Sequence, residues 1–284
     1  MESSVQPVRG EETRERVIVP PRGWQKLNLR ELWEQRDLIL LLMRRDLGTR
    51  YKQTTIGIFW TIAQPLALTV IFSVFFGVLA KVPSSAGIPY PLFAASGMIL
   101  WLAISEGFGR VSMSTMTATA LLSKIYFPRL AVPIASLAAP MLDFLAGVVI
   151  VLLLGIGYGF DPSLKLLAFP LLILGVVGTA LGAGLWFAAL SARYRDVILL
   201  LPLVSLIGLF ISPIIYPIDL VPQELQEIYV LNPVAGLMEF YRWMLLPLEL
   251  PVQLLAISTT VSVTLLVSGA YYYKRAEPGF ADVI

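Results

Sequence analysis

The sequence predicts an all-α, polytopic membrane protein with six transmembrane helices. Three observations predict it. Of 284 residues, 57% are hydrophobic and only 14% charged, against roughly 25% charged in soluble domains. Apolar runs long enough to cross a bilayer, for which about 20 residues suffice, recur at 57–80, 91–119, 133–160, 166–192, 197–218 and 250–273. Lysine and arginine also segregate to one side of these runs. Eleven precede the first run, and the pairs Lys124/Arg129, Arg193/Arg195 and Lys274/Arg275 follow the second, fourth and sixth. The opposite side holds Lys81, Lys165 and Arg242. By the positive-inside rule both termini are cytoplasmic.

Residues 1–27 carry both charge signs and Pro20-Pro21, and nothing in them resembles a signal peptide. A flexible cytoplasmic tail is expected. Residues 28–49 read as an amphipathic helix on the cytoplasmic face. Asn28 and Glu31 fit an N-cap and N3 pair. Leu29, Leu32, Trp33, Leu40, Met43 and Leu47 recur near helical spacing, and Arg36, Arg44 and Arg45 supply the basic side. Anchoring to the membrane surface and docking of a cytoplasmic partner are the competing roles.

Arg50 and Lys52 mark where the first span begins. That span is rich in aromatics: Phe59, Trp60, Phe72, Phe75 and Phe76. They read either as belt and filler residues or as the lining of a sugar-polymer conduit, since apolar C–H faces of sugars stack on rings. In the second span Glu106 and Arg110 stand at i, i+4 and face one way. Intramembrane charge is expensive and turns toward protein or water, so the two form a structural pair or line a polar path. If they only pair, exchanging them restores function. Asp143 in the third span has no local partner in the sequence; it faces a cavity or bonds to a neighbouring helix. Gly178 and Gly182 make a GxxxG face, and Gly155, Gly157 and Gly159 cluster; close helix packing is expected at both.

The link 123–133 is short, basic and aromatic, and Pro128 and Pro133 stiffen it. It either sets topology alone or presents an exposed Tyr126 and Phe127 to a socket in another protein. The segment between spans five and six is too apolar for a solvated loop. Two short helices split at Asn232-Pro233 are expected, re-entrant or lying as an aromatic anchor at headgroup level.

The chain has no cysteine and no histidine. That removes the thiolate, the commonest metal ligand and the commonest general base. No catalytic residue and no metal site is assigned. No G-x-x-x-x-G-K-[ST] loop occurs, so if ATP drives transport, another chain must hydrolyse it.

Several blocks, in order along six spans, carry a resemblance. They are Arg50-Tyr51-Lys52-Gln53-Thr54 followed by Gly57, Trp60 and Pro65; Lys124-Ile125-Tyr126-Phe127-Pro128-Arg129; Ala192-Arg193-Tyr194-Arg195-Asp196; Ser212-Pro213-Ile214-Ile215-Tyr216-Pro217; Asn232-Pro233; and Phe280-Ala281-Asp282. Over roughly residues 29–284 the chain resembles the ABC-2 permeases that export polysaccharides, the Wzm-type O-antigen and capsule exporters, with teichoic-acid exporters as near relatives. The longer N-terminal tail departs from that pattern.

The resemblance implies a permease domain over 28–284 and a bacterial inner-membrane location. It implies pairing with a second copy and with two ATP-binding cassette ATPase subunits, which use the ATP and Mg; this chain itself binds no cofactor. The substrate implied is a lipid-linked polysaccharide, with membrane lipids around it and no role for nucleic acid. Helix 28–49, with Trp33, Arg44, Arg45, Arg50 and Lys52, corresponds to an interface helix. Segment 120–132, with Lys124, Tyr126, Phe127, Pro128 and Arg129, corresponds to the ATPase-coupling element. Segment 219–247, with Asn232, Pro233 and Tyr241, corresponds to the outer gate. Trp60, Phe72, Phe76, Glu106, Arg110 and Tyr216 are the candidates for the substrate path. Alternatives stay open: a capsule or teichoic-acid exporter, an exporter of a smaller lipid or drug, a membrane enzyme acting on lipid-linked sugars, or a proton-coupled carrier using Glu106 and Asp143.

Overall fold

The computed structural model describes Leu27 and residues 29–52, 57–118 and 127–277. The expected tail up to residue 26, the Asn28 cap, the Gln53-Thr54 pair, Lys124, Tyr126 and the Phe280-Ala281-Asp282 block lie outside the described residues, as does the side chain of Lys52. Among the described residues all regular structure is helical.

The helices run in the order α1 (Leu29–Glu34), α2 (Arg36–Lys52), α3 (Gly57–Phe72), α4 (Tyr90–Thr117), α5 (Ala131–Ala135) and α6 (Ala138–Gly157). Then follow α7 (Phe169–Arg193), α8 (Val197–Ile211), α9 (Gln223–Tyr229), α10 (Pro233–Leu245) and α11 (Val252–Ala276). The end of α3 continues as a π-helical stretch, Ser73–Leu79.

Among the described residues, five helical stretches are long and apolar enough to cross a membrane: Phe59–Leu79, Tyr90–Thr117, Ala131–Gly157, Leu164–Arg193 and Val252–Ala276. The fifth expected span, 197–218, is helical only over Val197–Ile211. Its 15 residues reach about 22 Å, short of the roughly 30 Å hydrocarbon core. Pro213 explains the stop, because the residue before a proline is pushed out of the helical region, and Ser212 is extended (φ −109°, ψ 152°). The chain then turns inward, and Ser212, Pro213, Ile214, Ile215 and Pro217 are buried.

The best span window of α4 is 78% buried, against 11% for that of Phe59–Leu79, so α4 is the central helix and α3 lies at the edge. Helix α4 packs on α7 and α6, and α7 packs on α11. Small residues set the α7–α11 spacing: a Cβ on Gly182 would sit 2.6 Å from the Leu266 nitrogen, and one on Gly269 2.5 Å from the Gly182 carbonyl oxygen. Only glycine permits that approach. The other glycine group departs from expectation. Gly157 and Gly159 have open space around them. Gly159 (φ +84°) ends α6, with Phe160 N–H donating to Gly155 O and Gly159 N–H to Ile156 O, a Schellman stop and not a packing face.

Candidate functional site

Two helices carry the same acid-then-arginine spacing. On α2 it is Asp46 and Arg50, on α4 Glu106 and Arg110. The fold brings the two pairs together with Asp143 of α6. Arg50 Nη1 donates to Glu106 Oε1 at 2.6 Å, and its Nη2 lies 2.6 Å from Asp143 Oδ2. Arg110 Nε donates to Glu106 at 3.0 Å and Nη1 to Asp46 at 3.2 Å. Thr61 of α3 donates to Asp143 Oδ1 at 2.9 Å. The cluster therefore joins α2, α3, α4 and α6.

Two cavities flank this cluster, and Glu106 lines both. One, of about 300 Å³, is walled by Arg50, Trp60, Thr61, Gln64, Glu106 and Asp143, among others. The other, of about 790 Å³, lies between α2, α4 and α5 and is bordered by Arg45, Asp46 and Arg110. The indole of Trp60 is 62% exposed, so its face is available to anything in the smaller cavity.

The sequence treated Glu106 and Arg110 as a possible isolated pair. In the structure each has a further partner, Arg50 for Glu106 and Asp46 for Arg110, so the condition under which exchange would restore function, that the two only pair with each other, is not met. Glu106→Arg with Arg110→Glu would set an arginine against Arg50 and a carboxylate against Asp46. We expect the exchange to leave export defective with the protein assembled in the membrane, read by surface polymer against membrane abundance.

Of the other candidates for the path, Phe72 and Phe76 stack on each other (5.5 Å, 11°) and pack against the main core, away from both cavities. Tyr216 sits at the opposite end of the bundle. It lines a third, apolar cavity of about 520 Å³ with Phe210, Leu225, Ile228 and Tyr229. There the Tyr229 hydroxyl donates to that of Tyr216 at 3.1 Å, and Tyr216 donates to Phe210 O at 2.8 Å. Burial, then the hydrogen bond to Tyr216, raise the pKa of Tyr229, which stays a neutral donor.

The same end holds the expected gate residues. Asn232 Oδ1 accepts from Val234 N–H at 3.0 Å and Pro233 takes the first helical position, a favoured start. Asn232 Nδ2 also donates to Ile211 O and Ser212 Oγ, tying α10 to the end of α8. Tyr241 is fully buried against Phe144, at 5.8 Å between rings. The sequence reading passed over Arg242, which is also fully buried. Its guanidinium donates to Glu239 and to Ile214 O, each at 3.0 Å, and lies 3.7 Å from the centre of the Phe93 ring. The sequence signal was an arginine three residues after a glutamate inside an otherwise apolar helix.

At the α2 end, Trp33 is exposed with Arg36 over its ring at 5.8 Å, and Arg44 and Arg45 are exposed. Leu42, not Leu40, is the buried position of α2. Phe127 was read as exposed; the structure corrects this. It is 5% exposed and packs with Leu42, Ala118, Ala131, Val132 and Ala135, because α2 lies against α5 and offers the ring an apolar seat. Pro128 is buried. Arg129 donates from Nη1 to Glu277 O at 2.6 Å, and its Nε lies 3.7 Å from Glu277 Oε1, at the end of α11.

Helix α11 in turn reaches the far end. Tyr273 bonds to Thr115 at 2.8 Å, Trp186 Nε1 donates to Ser268 at 3.1 Å, and Thr179 meets Ser262 at 2.9 Å. Ser258 accepts from Gly236 N–H at 3.2 Å and donates to Asn232 O at 3.1 Å.

Residues 37–246 match a family model described as ABC-2 type transporter. Named relatives align over most of the chain. It is similar to the O-antigen export system permease protein RfbA of Klebsiella pneumoniae, 25% identical over 250 residues, 87% of this chain and 95% of the relative. The protein of the same name from Myxococcus xanthus is 26% identical over 260 residues, 90% of this chain and 98% of the relative. The polysialic acid transport protein KpsM of Escherichia coli is 25% identical over 254 residues, 86% and 95% respectively.

Proposed function

The chain belongs to the ABC-2 type transporter family, and from that premise we propose that it is the membrane subunit of an ATP-driven exporter of lipid-linked polysaccharide. The observation that carries the proposal is the alignment of nearly its whole length with O-antigen export permeases.

The geometry is in keeping with it. Helices α1 and α2 are the interface helix on the cytoplasmic face, with Trp33, Arg44 and Arg45 toward the partner ATPase. Segment 120–132 couples to that ATPase. Helix α8 with the largely buried Ser212–Pro217 turn makes the fifth of six crossings along the chain, that turn shielded by the bundle as non-helical backbone at membrane depth requires, and α10 is re-entrant. The burial of Val234, Leu237, Met238 and Tyr241 on α10 supports that placement over a surface anchor. Two copies of the chain pair with two ATPase subunits in a bacterial inner membrane, both termini cytoplasmic, and ATP with Mg is used by the ATPase alone. Trp60, Glu106 and Arg110 lie on the polymer's path.

The test is loss of the gene in its host. The expected result is a bare surface, with lipid-linked polymer retained inside the cell. In the purified complex, this chain should stimulate the ATPase. Unchanged surface polymer in the deletion strain would refute the proposal.

A further inference from the structure

We propose that Gln64, with Trp60 beside it and Ser105 opposite, forms a subsite that binds one sugar ring of the polymer through an adjacent pair of free hydroxyls. The inference rests on the polysaccharide-export reading above and assigns a ligand class to the cavity of about 300 Å³.

Gln64 is the longest polar side chain of the apolar stretch Phe59–Leu79. It lies about 10 Å along the axis from Gly57, where α3 begins, inside a hydrocarbon core of roughly 30 Å. Its amide is exposed and has no hydrogen-bond partner among the described residues. A lone amide against lipid tails is strongly unfavourable, because no water is there to replace the partner. The amide has the cavity to face instead, which Gln64 lines together with Trp60. The two stand at i, i+4 and share one face of α3. The exposed indole supplies a stacking face next to the amide, and its N–H also has no acceptor among the described residues.

The opposite wall adds a third open group. Ser105 of α4 lines the cavity and is half-buried. Ser96, Ser112, Ser114, Thr115 and Thr117 of the same helix each bond within the protein. Ser105 has no partner among the described residues. The other polar groups of the wall are engaged, Arg50 with Glu106 and Asp143, and Thr61 with Asp143. Pro65, also in the wall, has no N–H to close a helical bond to the Thr61 carbonyl, so that acceptor lacks its helical donor.

Open donors and acceptors around an aromatic face match one chemistry. A primary amide donates through its N–H and accepts through its C=O in one plane, so it bridges hydroxyls on adjacent ring carbons. The C–H face of that ring then lies on the indole, and Ser105 reaches a hydroxyl from the other side. Water would satisfy the amide but has no apolar face to lay on the indole. A site built this way selects by leaving its polar groups unpaired when the hydroxyls are missing.

The experiment uses the full permease–ATPase complex in lipid nanodiscs and the polymer retained in cells that lack this gene. One portion of the polymer is treated with periodate, which cleaves the bond between adjacent hydroxyl-bearing carbons, and then reduced with borohydride, so that no charge is added. The wild-type complex should bind native polymer at least about tenfold tighter than treated polymer, the scale of one or two neutral hydrogen bonds. Gln64→Met keeps the length of the side chain and removes both hydrogen-bonding ends. It should weaken native binding about tenfold and shrink the native-to-treated ratio severalfold. The melting temperature should stay unchanged, because the amide has no partner in the fold. Ser105→Ala should act in the same direction.

Native binding by Gln64→Met at the wild-type level, an unchanged ratio, or a polymer inert to periodate would overturn the proposal. A lower melting temperature with loss of pairing between copies would place Gln64 against a second copy of the chain, and would overturn it too. A wild-type complex that binds neither polymer would overturn the subsite together with the export reading. Equal binding by wild type and Gln64→Met would overturn the subsite alone.

Discussion

Replacing Arg50 with alanine is expected to abolish export and to lower the stability of the fold by about 1–3 kcal/mol. Removing one member of a buried ion pair typically costs about 3–5 kcal/mol. The estimate is reduced here because Arg50, Glu106 and Asp143 retain 27%, 35% and 16% side-chain exposure, and exposure screens the interaction. Without Arg50, Glu106 keeps Arg110 and Asp143 keeps Thr61, but the Arg50 tie from α2 to α6 is gone and α2 is held to α4 in this cluster by Asp46 and Arg110. Arg50→Lys should recover only part of the loss, because an ammonium lacks the planar fork that holds two carboxylates at once. The double variant Arg50→Ala, Asp143→Asn should regain stability over the single one, since it removes a carboxylate charge that Arg50 balances, while export stays lost. Thermal unfolding of the purified protein and surface polymer in cells give the two readouts. Wild-type melting and wild-type export in Arg50→Ala would remove the cluster from the transport path.

The elements of this fold were legible where a single physical pattern dominates. Long apolar runs gave the helices of five spans, and Asn232-Pro233 gave the break before α10, because a side-chain cap and a proline act locally. Local signals failed where tertiary contacts decide. Leu40 and Leu42 are both apolar, and only the position of α5 against α2 determines that Leu42 is the one buried. Phe127 looked exposed because a basic flanking sequence says nothing of the apolar seat beneath it. The span expected at 197–218 stops early at Pro213, a signal present in the sequence but outweighed by the length of the apolar run.

The candidate site was half visible. Glu106, Arg110 and Asp143 stood out because charge in an apolar run is costly. The role of Arg50 did not, since an arginine before a span reads as a topology marker. The repeated spacing of Asp46–Arg50 and Glu106–Arg110 was a usable signal: two helices with the same acid-to-arginine offset can cross-pair when they lie side by side. Gln64 and Thr61 carried none, as uncharged polar residues are tolerated in many spans.

Cutting the link between Arg129 and Glu277 is the second prediction of large effect. The structure joins Arg129, in the segment proposed to couple to the ATPase, to the opposite end of the bundle through one helix. Arg129 grips the end of α11, contacts with Thr115, Trp186 and Thr179 fix α11 against α4 and α7, and Ser258 holds the start of α10. A helix fixed along its length by hydrogen bonds and by the Gly182–Gly269 contact moves as a unit with its neighbours. Displacement at Arg129 therefore reaches Asn232 without requiring each span to deform. A coupling element shifts an equilibrium only through contacts that differ between states, and Arg129 is positioned to make one. Arg129→Ala is expected to leave the complex assembled and hydrolysing ATP while export falls by an order of magnitude or more. Its backbone acceptor, Glu277 O, survives any side-chain change, so Arg129→Lys should rescue substantially, whereas Glu277→Gln, which weakens the longer 3.7 Å contact and the 3.1 Å pair with Lys274 but leaves that carbonyl, should be mild. Export and ATPase rates measured on the same preparations separate the cases. Parallel loss of both activities would mark Arg129 as a residue of assembly and not of coupling.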